Sequence, residues 1–392
     1  MRYGKVLITG GLGFIGRHVA SLLVEQGRHV LLFDNLNPQT HGAVPDMAEL
    51  ALLRHPWVET HRGDVRRSAD WEAILPEVRQ IVHLAAETGT AQSMYEISRY
   101  TETNVAGTAG LLNYLANHRH NVAKIILGSS RAVYGEGAYC CRECGLVYPS
   151  MRTEDMLDSG QWEPLCPGCD GAIEPAATPE DANLAPASIY AATKSAQEDL
   201  VRIATKALGI PAVILRMQNV YGEGQSLKNA YTGIISIFSN QLRLGKTLDL
   251  YEDGQESRDF VHVSDAARAI AFGLDSETAD GRTLNVGSGC ATTMEQIALL
   301  LHEHFGGDAR PVISGQYRLG DVRHALADLT EIRSRLGFEP MVPLDEGLDR
   351  FAQWVKTQPV EPDQLAQATQ ELVERGLMPG RATPASRSAA SD

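Results

Sequence analysis

Tyr190-Ala-Ala-Thr-Lys194 sets a phenol and an ammonium at i and i+4, hence on one face of a helix. A free tyrosine titrates near pH ~10 and is a poor base at neutral pH, but a neighbouring cation favours its phenolate and brings proton transfer within reach of pH ~7. Ser130 closes the apolar run AKIILGSS, where its hydroxyl can bond the same substrate oxygen. Alone, Y-x-x-x-K also describes an ordinary exposed helix pair, so its meaning depends on what precedes it. Thr9-Gly10-Gly11-Leu12-Gly13-Phe14-Ile15-Gly16 runs from the strand-like KVLITG into the helix-period FIGRHVASLLVEQG. A pyrophosphate at such a helix N-terminus meets free N–H groups and the positive end of the dipole, and a Cβ at these glycines would block the turn, the phosphate or the helix packing. Asp34 ends the next strand-like run. Its carboxylate suits the two free ribose hydroxyls of NAD and repels the 2′-phosphate of NADP. A bound nicotinamide then brings a second positive charge beside Tyr190. Asp64-Val65, ending the third strand, is placed either to contact adenine or to form a simple turn.

A second constellation is metal-like. Cys141-Arg-Glu-Cys144-Gly145 and Cys166-Pro-Gly-Cys169-Asp-Gly171 are two C-x-x-C turns, each followed by a glycine. Facing each other, they give the tetrahedral thiolate set of a zinc ribbon: Cys141, Cys144, Cys166 and Cys169 around one structural zinc closed to water. Disulfides would need an oxidising compartment, and the N-terminus MRYGKVLITGG has no signal-peptide core. Cys140 is a neighbouring spare thiol, and Cys290 reads as a buried one.

These groups need a frame. KVLITG, HVLLFD, QIVHLAA, AKIILGSS and AVILRMQNV alternate with helix-period stretches, among them Met94 to His118 and Tyr190 to Gly209. That rhythm predicts an α/β fold, a doubly wound parallel (Rossmann) sheet with ligands beyond the carboxyl ends of its strands. The expected organisation is an NAD-binding domain over 1–217, interrupted by the zinc-ribbon insertion over 137–179. A smaller substrate-binding domain over 218–357 is partly interleaved with the sheet, and a polar tail over 358–392 has a disordered end. The 392 residues suit two or three domains, and 43% hydrophobic with 21% charged residues is ordinary for a soluble core. Lys plus Arg number 35 against 49 Asp plus Glu, a formal net charge of −14, which excludes the broad positive field that nucleic acid or an anionic membrane would need. A soluble cytoplasmic enzyme is the expectation. The helices around 94–118 and 190–209 suit either a homodimer interface or a core.

With these motifs in place, the chain resembles the extended short-chain dehydrogenase/reductases, specifically their nucleotide-sugar epimerase/dehydratase family. The resemblance spans roughly residues 3 to 355 without the insertion, and is carried by TGGLGFIG, Asp34, Asp64-Val65, His83-Leu84-Ala85-Ala86, Asn104 in NVAGT, SSRAVYG, YAATK, Asn219-Val220-Tyr221-Gly222, RDFVHVSDAA and RLGDVRHALAD. It implies Ser130, Tyr190 and Lys194 as the catalytic set. NAD contacts would come from Gly10, Gly13, Phe14, Ile15, Gly16, Asp34, Asn35, Asp64, Val65, Leu84, Ala85, Ala86, Asn104, Tyr190 and Lys194. Asn219, Arg258 and Arg318 would hold the nucleotide sugar, the arginines at its diphosphate; either is otherwise a surface ion pair. Glu87, Thr88 and Gln92 should face the sugar, or are ordinary loop polarity.

Family members share oxidation at C4 of the sugar, with the tyrosine taking the 4-hydroxyl proton. Dehydratases and decarboxylases of the family resemble one another in an acidic residue just after the catalytic Ser or Thr, where this chain has Arg131 and Ala132. What remains is the minimal cycle of a 4-epimerase. SSRAVYGEG followed by cysteines looks like a subgroup acting on dTDP-L-rhamnose, which would interconvert it with dTDP-6-deoxy-L-talose. UDP-glucose epimerisation, a 4-keto-sugar reductase, and a non-catalytic NAD or sugar-nucleotide sensor are the alternatives. The ribbon is expected near the mouth of the site, either shaping it or serving as surface ornament or dimer contact.

Overall fold

The computed structural model describes residues 4–41, 51–229, 231, 233–306, 310–363 and 365–378. Its central sheet has seven strands in the spatial order Thr283–Val286, Ala212–Met217, Lys124–Ser130, Val78–His83, Lys5–Thr9, Val30–Asp34, Val58–Arg62, all parallel. Continuous apolar runs form these strands because both faces are covered. Val6 and Ile8 point into one core and Leu7 into the other. Helices Phe14–Glu25 and Val263–Asp275 cover the first face; Ser68–Ile74, Gly107–Asn117 and Ile189–Leu208 cover the second. The strand order reverses between Lys5–Thr9 and Val78–His83, and a crevice at such a switch point is where ligands of these sheets bind.

A second lobe gathers around a smaller sheet in which Ser257–His262 lies between Asn219–Tyr221 and Ala291–Thr293 and also pairs with His324–Ala325. Helices Ile234–Arg243, Met294–Phe305 and Leu344–Thr357 bury its core. The sheet edge Thr283–Val286 is contributed by this C-terminal part of the chain.

The insertion forms a three-stranded antiparallel sheet with Tyr139–Cys141 between Gly145–Val147 and Ile173–Pro175, followed in its long loop by the short helix Glu154–Asp158. One expectation is corrected: Cys290 is exposed, not buried, because it sits in the turn leading into the edge strand Ala291–Thr293. The tail carries a helix, Leu365–Glu374, whose Ala368 and Leu372 are buried, an i, i+4 apolar pair that polar composition masks. Its end, expected to be disordered, falls at 379–392, outside the described residues. No helix among the described residues is long and apolar enough to cross a membrane.

Candidate active site

A cavity of about 950 Å³ opens beyond the carboxyl ends of the strands. One wall is the glycine-rich loop: Gly10, Gly13, Phe14, Ile15 and Gly16 all line it. Gly10 has φ +65°, and a Cβ on Gly16 would lie 2.3 Å from the Gly10 carbonyl oxygen, whereas a Cβ on Gly13 would come no nearer than 3.1 Å. Gly10 and Gly16 are therefore required by the turn itself, and a Cβ on Gly13 would also crowd the Gly10 carbonyl. Asp34 is buried at the cavity edge, where its carboxylate accepts from the backbone N–H of Leu12 (3.1 Å) and Leu36 (2.9 Å). Asn35, Val65, Leu84, Ala85 and Ala86 also line the cavity.

Two of the proposed cofactor contacts lie off this wall. Asp64 turns its carboxylate to Arg66, at 2.7 Å, and that guanidinium holds its pKa down at about 2. Asn104, fully buried, exchanges hydrogen bonds with the backbone of Glu87 (2.8 and 3.1 Å) and donates to Thr193 Oγ1 (2.9 Å). A buried amide has to satisfy its donors and acceptor, and Asn104 does so by bracing the Glu87 loop against helix Ile189–Leu208. It lies in Thr101–Ala106, a single wide π-helical turn in the otherwise regular helix.

Ser130, Tyr190 and Lys194 meet in the same cavity. Ser188 caps helix Ile189–Leu208 through Oγ, accepting from Ala191 N at 3.1 Å, which fixes Tyr190 in the first turn and Lys194 one turn below. Ser130 ends its strand facing the same cavity as Tyr190, and its Oγ accepts from Ala132 N at 3.2 Å. Burial pushes the phenol up; the nearby Ser130 hydroxyl and the charge of Arg131 pull it down. The neighbouring cation is therefore Arg131, not only the lysine expected from sequence. Lys194 is buried, donates to the Gly128 carbonyl at 2.8 Å, and burial lowers its ammonium to about 8 against the favourable charge of Glu198. Behind it, Glu198 accepts from Ser129 Oγ (2.5 Å) and Arg216, and His83 bridges Thr9 and Thr108, its pKa lowered to about 3 by burial and by Lys194.

The opposite wall is cationic. Arg131, Arg258 and Arg318 line it, with Asn219, Glu256 and Asp321. Arg258 donates to the carbonyls of Ser257 (2.9 Å) and Arg323 (3.0 Å). Arg318 stacks over Tyr251, 4.8 Å from the ring centre, and its buried Nε has no hydrogen-bond partner among the described residues. An anionic group is the natural partner for such guanidinium donors. Glu256 is pushed up to about 7 by burial and by Asp321 and Glu252, against Arg258 and Arg323. It lies two residues before Arg258 in an extended segment, a period-2 signal that the sequence reading passed over. Thr88 lines the cavity, as does Glu87, whose carboxylate is paired with Arg99 (2.7 Å) and Asn37 (3.0 Å). Gln92 is buried against Gln39 (2.8 Å) and lies off the wall.

The four ribbon cysteines converge, with all ligand atoms within 4.8 Å of one another. Cys141 and Cys169 Sγ stand 3.6 Å apart, close to the ~3.8 Å edge that a tetrahedron with Zn–S near 2.3 Å requires. All four thiols are free.

A parallel sheet with this strand order and a glycine loop at its switch point define a Rossmann-type α/β protein. The chain matches the NAD dependent epimerase/dehydratase family over residues 6–153 and 167–287, and it belongs to that family. It is 41% identical to the dTDP-L-rhamnose 4-epimerase of Burkholderia thailandensis over 90% of this chain and 94% of the relative. Among solved structures it resembles the UDP-glucose 4-epimerase of Thermotoga maritima with UDP-glucose, at TM-score 0.72 and 28% identity, covering 90% and 98% of the two chains. It likewise resembles a dTDP-glucose 4,6-dehydratase from Streptomyces venezuelae with NAD bound, at TM-score 0.72 and 27% identity over 90% and 97%.

Proposed function

We propose that the protein is an isomerase, an NAD-dependent nucleotide-sugar 4-epimerase, acting on dTDP-L-rhamnose and dTDP-6-deoxy-L-talose. The observation that carries this reading is the convergence of Ser130, Tyr190 and Lys194 in a cavity whose next residues, Arg131 and Ala132, offer no acid for dehydration. The relative at 41% identity supports the choice of sugar.

In this reading Ser130 holds the 4-oxygen of the sugar and Tyr190 removes its proton, returning it after the sugar has turned over. Lys194 and Arg131 stabilise the phenolate. The glycine loop and Asp34 hold NAD, which when bound supplies the two-electron oxidation at C4 and its reversal. Arg258 and Arg318 hold the diphosphate, and Asn219 and Thr88 line the sugar side. Incubation with dTDP-, UDP- and GDP-sugars, followed by NMR, should show C4 inversion of a dTDP-6-deoxyhexose with no added cofactor consumed. Stoichiometric loss of NAD(P)H with a 4-keto sugar would make the protein a reductase, and release of water would make it a dehydratase.

The cysteine set is assigned to one structural zinc. Four protein thiolates leave no open position for substrate or water, so the metal holds the ribbon together and takes no part in proton transfer.

Glu256 gives this reading a pH signature. Its carboxyl is neutral below about pH 7 and becomes an anion above it, beside the arginine that is to receive the diphosphate. KM should therefore rise as pH passes upward through about 7, and Glu256→Gln should flatten that rise. An equally steep KM profile in the variant would assign the dependence to another group.

A further inference from the structure

The insertion is joined to the cationic wall by buried charges. Arg152 and Glu163 both lie in the loop between the two cysteine pairs. The Arg152 side chain is 1% exposed; Nη1 donates to Glu252 Oε2 (2.7 Å) and the Trp162 carbonyl (3.0 Å), and Nη2 donates to the carbonyl of Asp321 (2.9 Å), a cavity residue. Glu163 accepts from Arg323 Nε at 2.7 Å. Arg323, itself buried, reaches Glu252 (2.9 Å) and Asp253 (2.7 and 2.9 Å), and its backbone N–H donates to Glu136 (2.9 Å) at the root of the insertion. Its carbonyl accepts from Arg258. The segment carrying Arg318 is held on the same side, since Tyr317 donates to Asp158 of the insertion's helix at 2.5 Å.

Arg323 is thus a hub with the insertion on one side and the cavity on the other. Buried guanidinium groups held by several carboxylate and carbonyl oxygens have a fixed geometry, and removing one partner leaves the others unpaired. The loop that supplies Arg152 and Glu163 starts at Cys144 and ends at Cys166, so its course depends on how those two thiols are held.

We propose that the four-cysteine insertion positions the arginine wall: through Arg152 and Glu163 it fixes Arg323 and the Arg318–Asp321 segment, so that metal occupancy sets affinity for the nucleoside diphosphate and leaves NAD binding unchanged. The inference rests on the reading that this wall takes the diphosphate and that the thiols hold zinc. Arg152 and Glu163 are positioning residues, since neither lines the cavity.

The test uses the full-length protein with its bound NAD. Arg152→Met, Glu163→Gln, and wild type stripped of metal by chelator are compared for Kd towards dTDP and UDP, KM, kcat and NAD content. Loss of geometry without loss of chemistry predicts a rise in KM and Kd of about 10-fold or more in Arg152→Met and about 3-fold in Glu163→Gln, with kcat and NAD content within about 2-fold. Metal removal should reproduce the Arg152→Met values, zinc should reverse them, and removal from Arg152→Met should add little, because coupled groups are not additive. If Arg152→Met does not fold, the Glu163→Gln and metal arms decide by the same criteria. Unchanged Kd in the variants and after metal removal, or NAD lost in parallel with the diphosphate, overturns the inference. A wild-type protein that binds neither dTDP nor UDP overturns the substrate reading itself, and is told apart by failing before any variant is made.

Discussion

Replacing Tyr190 by Phe is expected to lower kcat by roughly 10²–10⁴-fold, the usual worth of a general acid–base group, while bound NAD is retained. The phenol oxygen is the atom removed; the ring, the Ser188 cap and the glycine loop all stay, so the cavity keeps its shape. Ser130 and Arg131 oppose the upward push of burial on this phenol, so Arg131→Met should shift the rising limb of the kcat profile to higher pH. Time-resolved NMR of C4 inversion against pH measures both effects. Full activity in Tyr190→Phe would remove the phenol from the reaction.

Metal analysis is expected to return about one zinc per chain, and Cys166→Ser to abolish it. Cys166 is fully buried in the ribbon's small core with Tyr139, Cys141 and Ile173, and Gly168 N donates to its sulfur at 3.4 Å. So few apolar side chains cannot hold three short strands alone. Structural zinc in small cysteine modules is worth on the order of 10–16 kcal/mol in apparent binding free energy, which here is folding free energy for the insertion. Cys166→Ser with chelator should therefore expose the ribbon to proteolysis while the seven-stranded sheet keeps its NAD and its cooperative melting. Protein prepared without chelators that holds no zinc, or shows a disulfide by mass, would discard the site.

The sheet was legible because its strands are continuous apolar runs buried on both faces, and the loop because only glycines fit Gly10 and Gly16. The cysteines were legible through their two C-x-x-C spacings, which the fold brings into one cluster. Residues whose chemistry is shared with ordinary structure were harder. Asn104 and Asp64 have internal partners that their sequence positions do not reveal, Glu87 and Thr193 for the one and Arg66 for the other. Gln92 likewise has Gln39. The Arg152–Glu252 and Glu163–Arg323 pairs span 100 and 160 residues of sequence, a distance over which charge patterning carries no signal. Arg131 was informative in sequence only for what it could not do, and the fold gives its charge a direction, towards Tyr190.

The sheet's outermost strand, Thr283–Val286, also has a bearing on how the chain is made. Among the described residues it pairs only with Ala212–Met217, and residues between them build part of the second lobe. During synthesis, the six preceding strands emerge first and present an unpaired edge of Ala212–Met217 while about seventy further residues are added. Open edges of this kind pair readily with other chains. Nascent protein stalled before residue 283 therefore presents the bare edge of Ala212–Met217, whereas the finished sheet ends on Thr283–Val286, where the Asn285 N–H donates to the Glu180 carboxylate (2.7 Å), and ribosome-bound truncations ending on either side of that strand would differ in aggregation.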